Sequence, residues 1–175
     1  MKLFIKFTIF FYLIFLNSTI YAEDKKIVYI DIDKIFNESL VGKSMLNQIN
    51  ELKVISQKSI KKKEEEIKKE DQNINNQKNI LSDEEIKNKV DNLRDKIKKL
   101  QNELKESNDD IKNKRNLATE EILSELRPIL ADYSKNNSIS LVLRKKNIII
   151  GKNNLDITDD IIEILNKNLK EIKLN

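Results

Sequence analysis

The residues that could do chemistry in this chain are few. It contains no His and no Cys, so the commonest general base, the soft metal ligands and thiol nucleophiles are all missing. Asp31 and Asp33 are the one paired-carboxylate arrangement. In a strand they would share a face, but nothing else reactive accompanies them, and Asp33 is expected to cap a short helix instead. Gly42 and Gly151 form no phosphate-binding loop. The reading is therefore not an enzyme, with no cofactor and no metal. What remains is binding chemistry: isolated isoleucines Ile60, Ile67, Ile74 and Ile80 on a polar background, with Lys61, Lys62, Lys63, Lys68 and Lys69 beside them. Scattered apolar groups and flexible cations suit weak, multivalent contact with a disordered chain. The same isoleucines would equally serve as the seam of a helical hairpin.

The element that must position them runs from Lys43 to Tyr133. No Gly or Pro occurs between Gly42 and Pro128, so nothing in that interval forbids helix. In the downstream half Val90, Ile97, Leu104, Ile111 and Ala118 fill one heptad position and Ile86, Leu93 and Leu100 the other. Such a seam requires a partner helix. The upstream half starts with Leu46, Ile49, Leu52 and Ile55 and then offers only one apolar residue per heptad. Between the halves, Ser82 with Glu85 reads as a capping box, Leu81 with Ile86 as a hydrophobic staple, and Asp83 to Glu85 as first-turn acids. Two arms joined there lie antiparallel, with a weakly held far end. The Asn-rich tip, Asp71 to Asn79, is either the end of that arm or a disordered loop.

The flanks read as one small β-rich unit. Lys26 to Ile32 is a nearly continuous apolar run, expected as a strand buried on both faces. A short helix, Lys34 to Glu38, and a joint at Gly42 follow. Pro128 is expected to kink or break the second long helix. Ile139–Leu143 and Ile148–Ile150 read as a hairpin around Arg144–Asn147. Thr158 is expected to cap a last helix whose buried stripe is Ile161, Leu165, Leu169 and Ile172. The fold class is α+β: a head of three strands plus short and C-terminal helices, carrying a long antiparallel coiled-coil hairpin. The boundaries are 23–42 and 136–175 for the head and 43–135 for the arm. A head of that size is marginal alone and exposes strand edges, so self-association is expected. Its oligomerisation core is assigned to Ile27, Val28, Tyr29, Ile30, Ile32, Phe36, Leu141, Leu143, Ile148 and Ile150.

Residues 1–22 read as a cleaved secretory signal peptide, with Lys2 and Lys6, the apolar run Phe7–Leu16 and Ala22 at the cut. Removing it lowers the net charge from +4 to +2, since Lys2 and Lys6 leave and no acid does. Acids at Glu64 to Glu66 interrupt the lysine cluster, and with the export signal they argue against a nucleic-acid partner.

Two end blocks carry a family resemblance. One is Ile27-Val-Tyr-Ile-Asp-Ile-Asp-Lys-Ile-Phe-Asn-Glu-Ser39 with Val41-Gly42-Lys43. The other runs from Arg127-Pro128-Ile129 through Ile139-Ser-Leu-Val-Leu143 and Asn147-Ile-Ile-Ile150 to Leu155-Asp-Ile-Thr-Asp-Asp-Ile-Ile162. The chain thereby resembles the Skp/OmpH family of periplasmic chaperones. The resemblance implies a tentacled homotrimer in the periplasm, which holds unfolded outer-membrane β-barrel proteins without ATP and prevents their aggregation. Its implied partners are those clients, further copies of the chain and, weakly, a membrane surface. The family's tentacle ends tend to be basic; here Glu70 to Glu85 is mixed and slightly acidic, so no lipid-contact residue is assigned there. The competing reading is a coiled-coil spacer of the cell envelope, for which the two end blocks would serve no purpose.

Overall fold

A computed structural model describes residues 25–174. The expected signal peptide lies outside the described residues. In chain order these are β1 (Lys26–Ile30), α1 (Ile32–Glu38), α2 (Leu40–Gln77), α3 (Asp83–Asn136), β2 (Ile139–Arg144) and α4 (Thr158–Asn168), with short 3-10 turns at Lys145–Asn147 and Asn153–Leu155.

Helices α2 and α3 form the expected hairpin, with spans of 38 and 54 residues. At 1.5 Å per residue they are about 57 and 81 Å long. The break falls where the start signals put it. Glu85 N–H donates to Ser82 Oγ and Ser82 N–H donates to Glu85 Oε2 at 2.9 Å, closing the capping box. The Asn-rich tip belongs to the arm: Asp71–Gln77 is helical, and only Lys78–Leu81 turns the chain.

β1 and β2 pair in parallel, with Ile27 opposite Leu141, Val28 opposite Val142 and Tyr29 opposite Leu143. The whole hairpin is thus the crossover between two parallel strands. The outer edge of β1 is bridged by Tyr29 to Asp156, and Ile157 N–H donates to Tyr29 O at 3.0 Å. Val28 and Ile30 enter a core shared with Ile35, Met45, Ile122 and Leu165. That core climbs into the arm as far as Ile49 and Ile111, so the base of the hairpin is packed as firmly as the sheet.

Several expectations need correction. The sheet has two strands among the described residues, because Ile148–Ile150 does not pair with β2. Lys145 explains the departure. Its Nζ lies 3.2 Å from Asp31 Oδ2 and 3.6 Å from Asp156 Oδ2, which draws the chain into a 3-10 turn toward β1 instead of folding it back along β2. β1 is not buried on both faces, since Ile27 is exposed. Asp31, not Asp33, caps α1: its Oδ1 accepts from Lys34 N–H at 3.0 Å. The joint before the arm is Ser39, which ends α1 and caps α2, while Gly42 sits in the first turn of α2. Of the kink or break expected at Pro128, the break does not occur, since α3 runs through it. The carbonyl this proline leaves without a helical donor, at Ser124, belongs to a residue exposed to solvent. Thr158 does not cap α4. Its Oγ1 accepts from Asp31 N–H at 2.9 Å, and Asp156 Oδ1 accepts from Thr158 N–H at 3.0 Å. Finally, α4 stops at Asn168, and Leu169–Leu174 leaves the helix to run along α2. Gln48 holds it there, donating to Ile172 O at 2.6 Å and accepting from Leu174 N–H at 3.2 Å.

Candidate binding surface on the helical arm

Helical spacing divides the arm into two unlike sides. On one side, Lys63 pairs with Glu103 and Lys96 pairs with Glu70 at 2.6 Å. The Lys63 hydrogen bond holds the Glu103 carboxyl below its usual value. Lys63, Glu66, Glu70, Lys96, Lys99 and Glu103 make this side a charged furrow. On the other side no cross-arm ion pair forms among the described residues. Ile60 and Ile67 of α2 face Leu93, Ile97, Leu100 and Leu104 of α3 across an open groove of about 440 Å³. A second stretch of about 680 Å³ continues it toward the head and shares Ile60, Glu64 and Leu104 with the first. Ile67 and Leu100 line both sides of the arm, which identifies them as the seam.

The groove follows from unequal seams. α3 presents two apolar residues per heptad and the outer half of α2 only one. One helix so sparsely apolar cannot cover both heptad positions of its partner. Leu93 is buried, but Ile97 is 38% and Leu104 42% exposed.

The predicted contact residues separate accordingly. Ile60 and Ile67 are half-buried in the groove. Ile74 is 4% exposed and belongs to the seam. Ile80 is 82% exposed in the turn at the tip, away from the groove. Lys61 and Lys68 stand on the groove wall. Lys62 faces Glu66 at 4.0 Å, Lys63 lies on the charged side, and Lys69 is exposed and lines neither. The sequence reading missed Ile97 and Leu104 as surface groups by assigning the whole heptad stripe to the seam. The mismatch in apolar density between the two arms was the signal that could have found them.

The residues assigned to an oligomerisation core also divide. Val28, Tyr29 and Ile30 are buried within the single chain, and Ile32 and Phe36 pack against its core. Ile148 is half-buried. Ile27, Leu141 and Leu143 form an exposed apolar face on the sheet, and Ile150 is 90% exposed beyond it. Among the described residues β2 keeps its second edge unpaired. The remaining charged cluster is structural. Asp31 is held below its usual value by the hydrogen bond from Lys34 N–H and by Lys145, while Lys145 is raised by Asp31. Among the described residues no group of acidic side chains is arranged to hold a metal ion, and no helix is long and apolar enough to cross a membrane.

No curated protein matches the sequence. One similar solved structure is a crystal structure from Caulobacter crescentus CB15, described as a proposed OmpH-like outer membrane chaperone. It shares the fold with a TM-score of 0.79 at 14% identity, over 86% of this chain and 89% of that one. The sequence pattern described as outer membrane protein (OmpH-like) matches residues 26–165, from the first strand into the last helix. The chain therefore belongs to the OmpH-like family.

Proposed function

We propose that this protein is an ATP-independent periplasmic holdase chaperone, which binds unfolded outer-membrane proteins after export and prevents their aggregation. It is not an enzyme, in keeping with its family. The observation that carries the reading is the open apolar groove along one side of a long, otherwise charged arm. A hairpin built only as a spacer has no use for Ile97 and Leu104 in solvent. A chain that must hold a disordered client needs apolar surface that does not fuse one arm to the next, and the charged wall provides that separation.

The head assembles the arms in this reading. Residues 23–42 and 136–175 supply the exposed face of Ile27, Leu141 and Leu143 together with the unpaired β2 edge, and both are covered in a closed homotrimer. In this reading residues 1–22 are an export signal cleaved near Ala22, and the assembly works in the periplasm. Arms projecting from a shared head then surround the client.

The test is direct. A urea-unfolded outer-membrane β-barrel protein is diluted into buffer with and without the protein, and turbidity is followed. Suppression near one assembled particle per client, without nucleotide, is the expected result. Undiminished turbidity would leave the envelope-spacer reading as the better one.

A further inference from the structure

We infer that the groove on each arm takes one extended segment of client, a strand-like stretch with apolar residues at alternate positions and acidic residues among those between. This deepens the chaperone reading above and rests on it. The groove floor is apolar, built from Ile60, Ile67, Leu93, Ile97, Leu100 and Leu104. Its α2 wall is polar and carries Lys53, Lys61 and Lys68, interleaved with Glu64 and Asp71. An occupant matching both must be two-faced, apolar toward the floor and polar toward the wall. Lys62 and Lys63 are engaged with Glu66 and Glu103, but Lys53, Lys61 and Lys68 form no ion pair among the described residues. The wall thus offers one more cation than anion, with its cations unclaimed, and it complements acidic side chains.

Length selects the extended form. From Lys53 to Asp71 the wall runs about 27 Å at 1.5 Å per residue. An extended chain of about eight residues spans that distance at 3.3 Å per residue. Membrane-spanning β-strands are about 9–11 residues long and alternate apolar with polar positions. One such strand, before it folds, therefore fills one groove. The lysines recur about every 11 Å along the helix, close to the ~13 Å that separates every second polar position of a strand. Contact is side chain to side chain, since neither helix has backbone donors to spare, so the strand is held without a fixed register.

The experiment uses the full chain and three fluorescent nine-residue peptides, read by anisotropy. The first alternates Val and Asp. The second has the same composition with Val at helical spacing. The third alternates Val and Lys. The expected order is the alternating acidic peptide bound best, with the other two weaker by about tenfold or more. Ile97→Ser with Leu104→Ser should weaken the first peptide by about tenfold, and Lys61→Glu with Lys68→Glu should remove its advantage over the third. Ile97 and Leu104 are partly exposed, and the thermal melt of each variant reports whether the arm stays folded. Equal or tighter binding of the helically spaced peptide would overturn the inference, and so would binding that both folded variants leave unchanged. Aggregation suppression, measured in parallel on an unfolded β-barrel protein, separates the two levels. Suppression without peptide preference sinks this inference alone; no suppression sinks the chaperone reading with it.

Discussion

Lys96 reaches across the hairpin to Glu70, 26 residues earlier, and holds its carboxylate at 2.6 Å. The pair lies on the side of the arm that turns its back on the apolar groove. One level further along, Lys63 does the same with Glu103. These contacts contribute little stability individually, because exposed pairs are screened and cost side-chain entropy. Their value is in register. They bias the thin seam toward one alignment of α2 on α3 and leave Ile97 and Leu104 uncovered on the far side.

The arm tip should respond differently to two similar substitutions. Ile74 is 4% exposed and Ile97 is 38% exposed. Ile74→Ser removes a buried seam contact and should cost about 2–4 kcal/mol of local stability. Ile97→Ser should cost about 1 kcal/mol or less. Amide hydrogen exchange between residues 67 and 90 measures the difference. Equal acceleration in both variants would mean that Ile97 is part of the seam.

Gly42→Ala should destabilise the protein despite placing a better helix former in α2. A Cβ there would lie 2.1 Å from the carbonyl oxygen of Phe36, a backbone atom with nowhere to move. The general preference for Ala over Gly in a helix is about 1 kcal/mol, while forced overpacking costs about 3 kcal/mol. The net effect is a loss, seen as a lower urea midpoint. A gain would show that the α1–α2 junction is looser than described.

Tyr133 should titrate late. Its hydroxyl donates to Asp160 Oδ2, and that bond, with burial and the negative charge beside it, pushes its pKa up to about 12. Folding favours the neutral phenol, so this stabilisation is complete below the ordinary value of 10.0 and disappears as pH rises toward about 12. The difference in tyrosinate absorbance between the unaltered protein and Tyr133→Phe gives the midpoint. Asp160→Asn should return it toward 10.0, and an unshifted midpoint would mean that the hydrogen bond does not persist in solution.

Leu141→Asp should split the proposed homotrimer without unfolding the single chain. Leu141 is 47% exposed and lies beside Ile27 on the outer face of the sheet. A carboxylate is well solvated there in a single chain and strongly disfavoured in a closed apolar interface. Light scattering after gel filtration should show three chains for the unaltered protein and one for the variant, with unchanged helicity. An unchanged mass would move the assembly contact elsewhere.

Much of this was legible in the chain itself, for identifiable reasons. The break at Ser82 carried a cap, a capping box, a staple and first-turn acids, all local and all in agreement. The heptad stripe of α3 is a long periodic signal. The departures came from long-range contacts that no local pattern encodes. Ile148–Ile150 has strand-like residues, but Lys145 answers to Asp31, more than a hundred residues before it, and to Asp156, eleven after it. Thr158 looks like a cap and instead accepts from Asp31 N–H across the fold. The groove was half legible. Its α2 isoleucines stand out against a polar arm, whereas Ile97 and Leu104 belong to a heptad stripe whose spacing points wholly to pairing.

The most direct test of client holding on the arm is site-specific photo-crosslinking. A benzophenone amino acid replaces Leu104 in the groove or, in a second variant, Lys99 on the charged side. Each full-length variant is mixed with a urea-unfolded outer-membrane β-barrel protein during dilution and then irradiated. Strong adducts from position 104 and weak or absent adducts from position 99 are the predicted result. Adducts from neither position, or from 99 in preference to 104, would contradict the account.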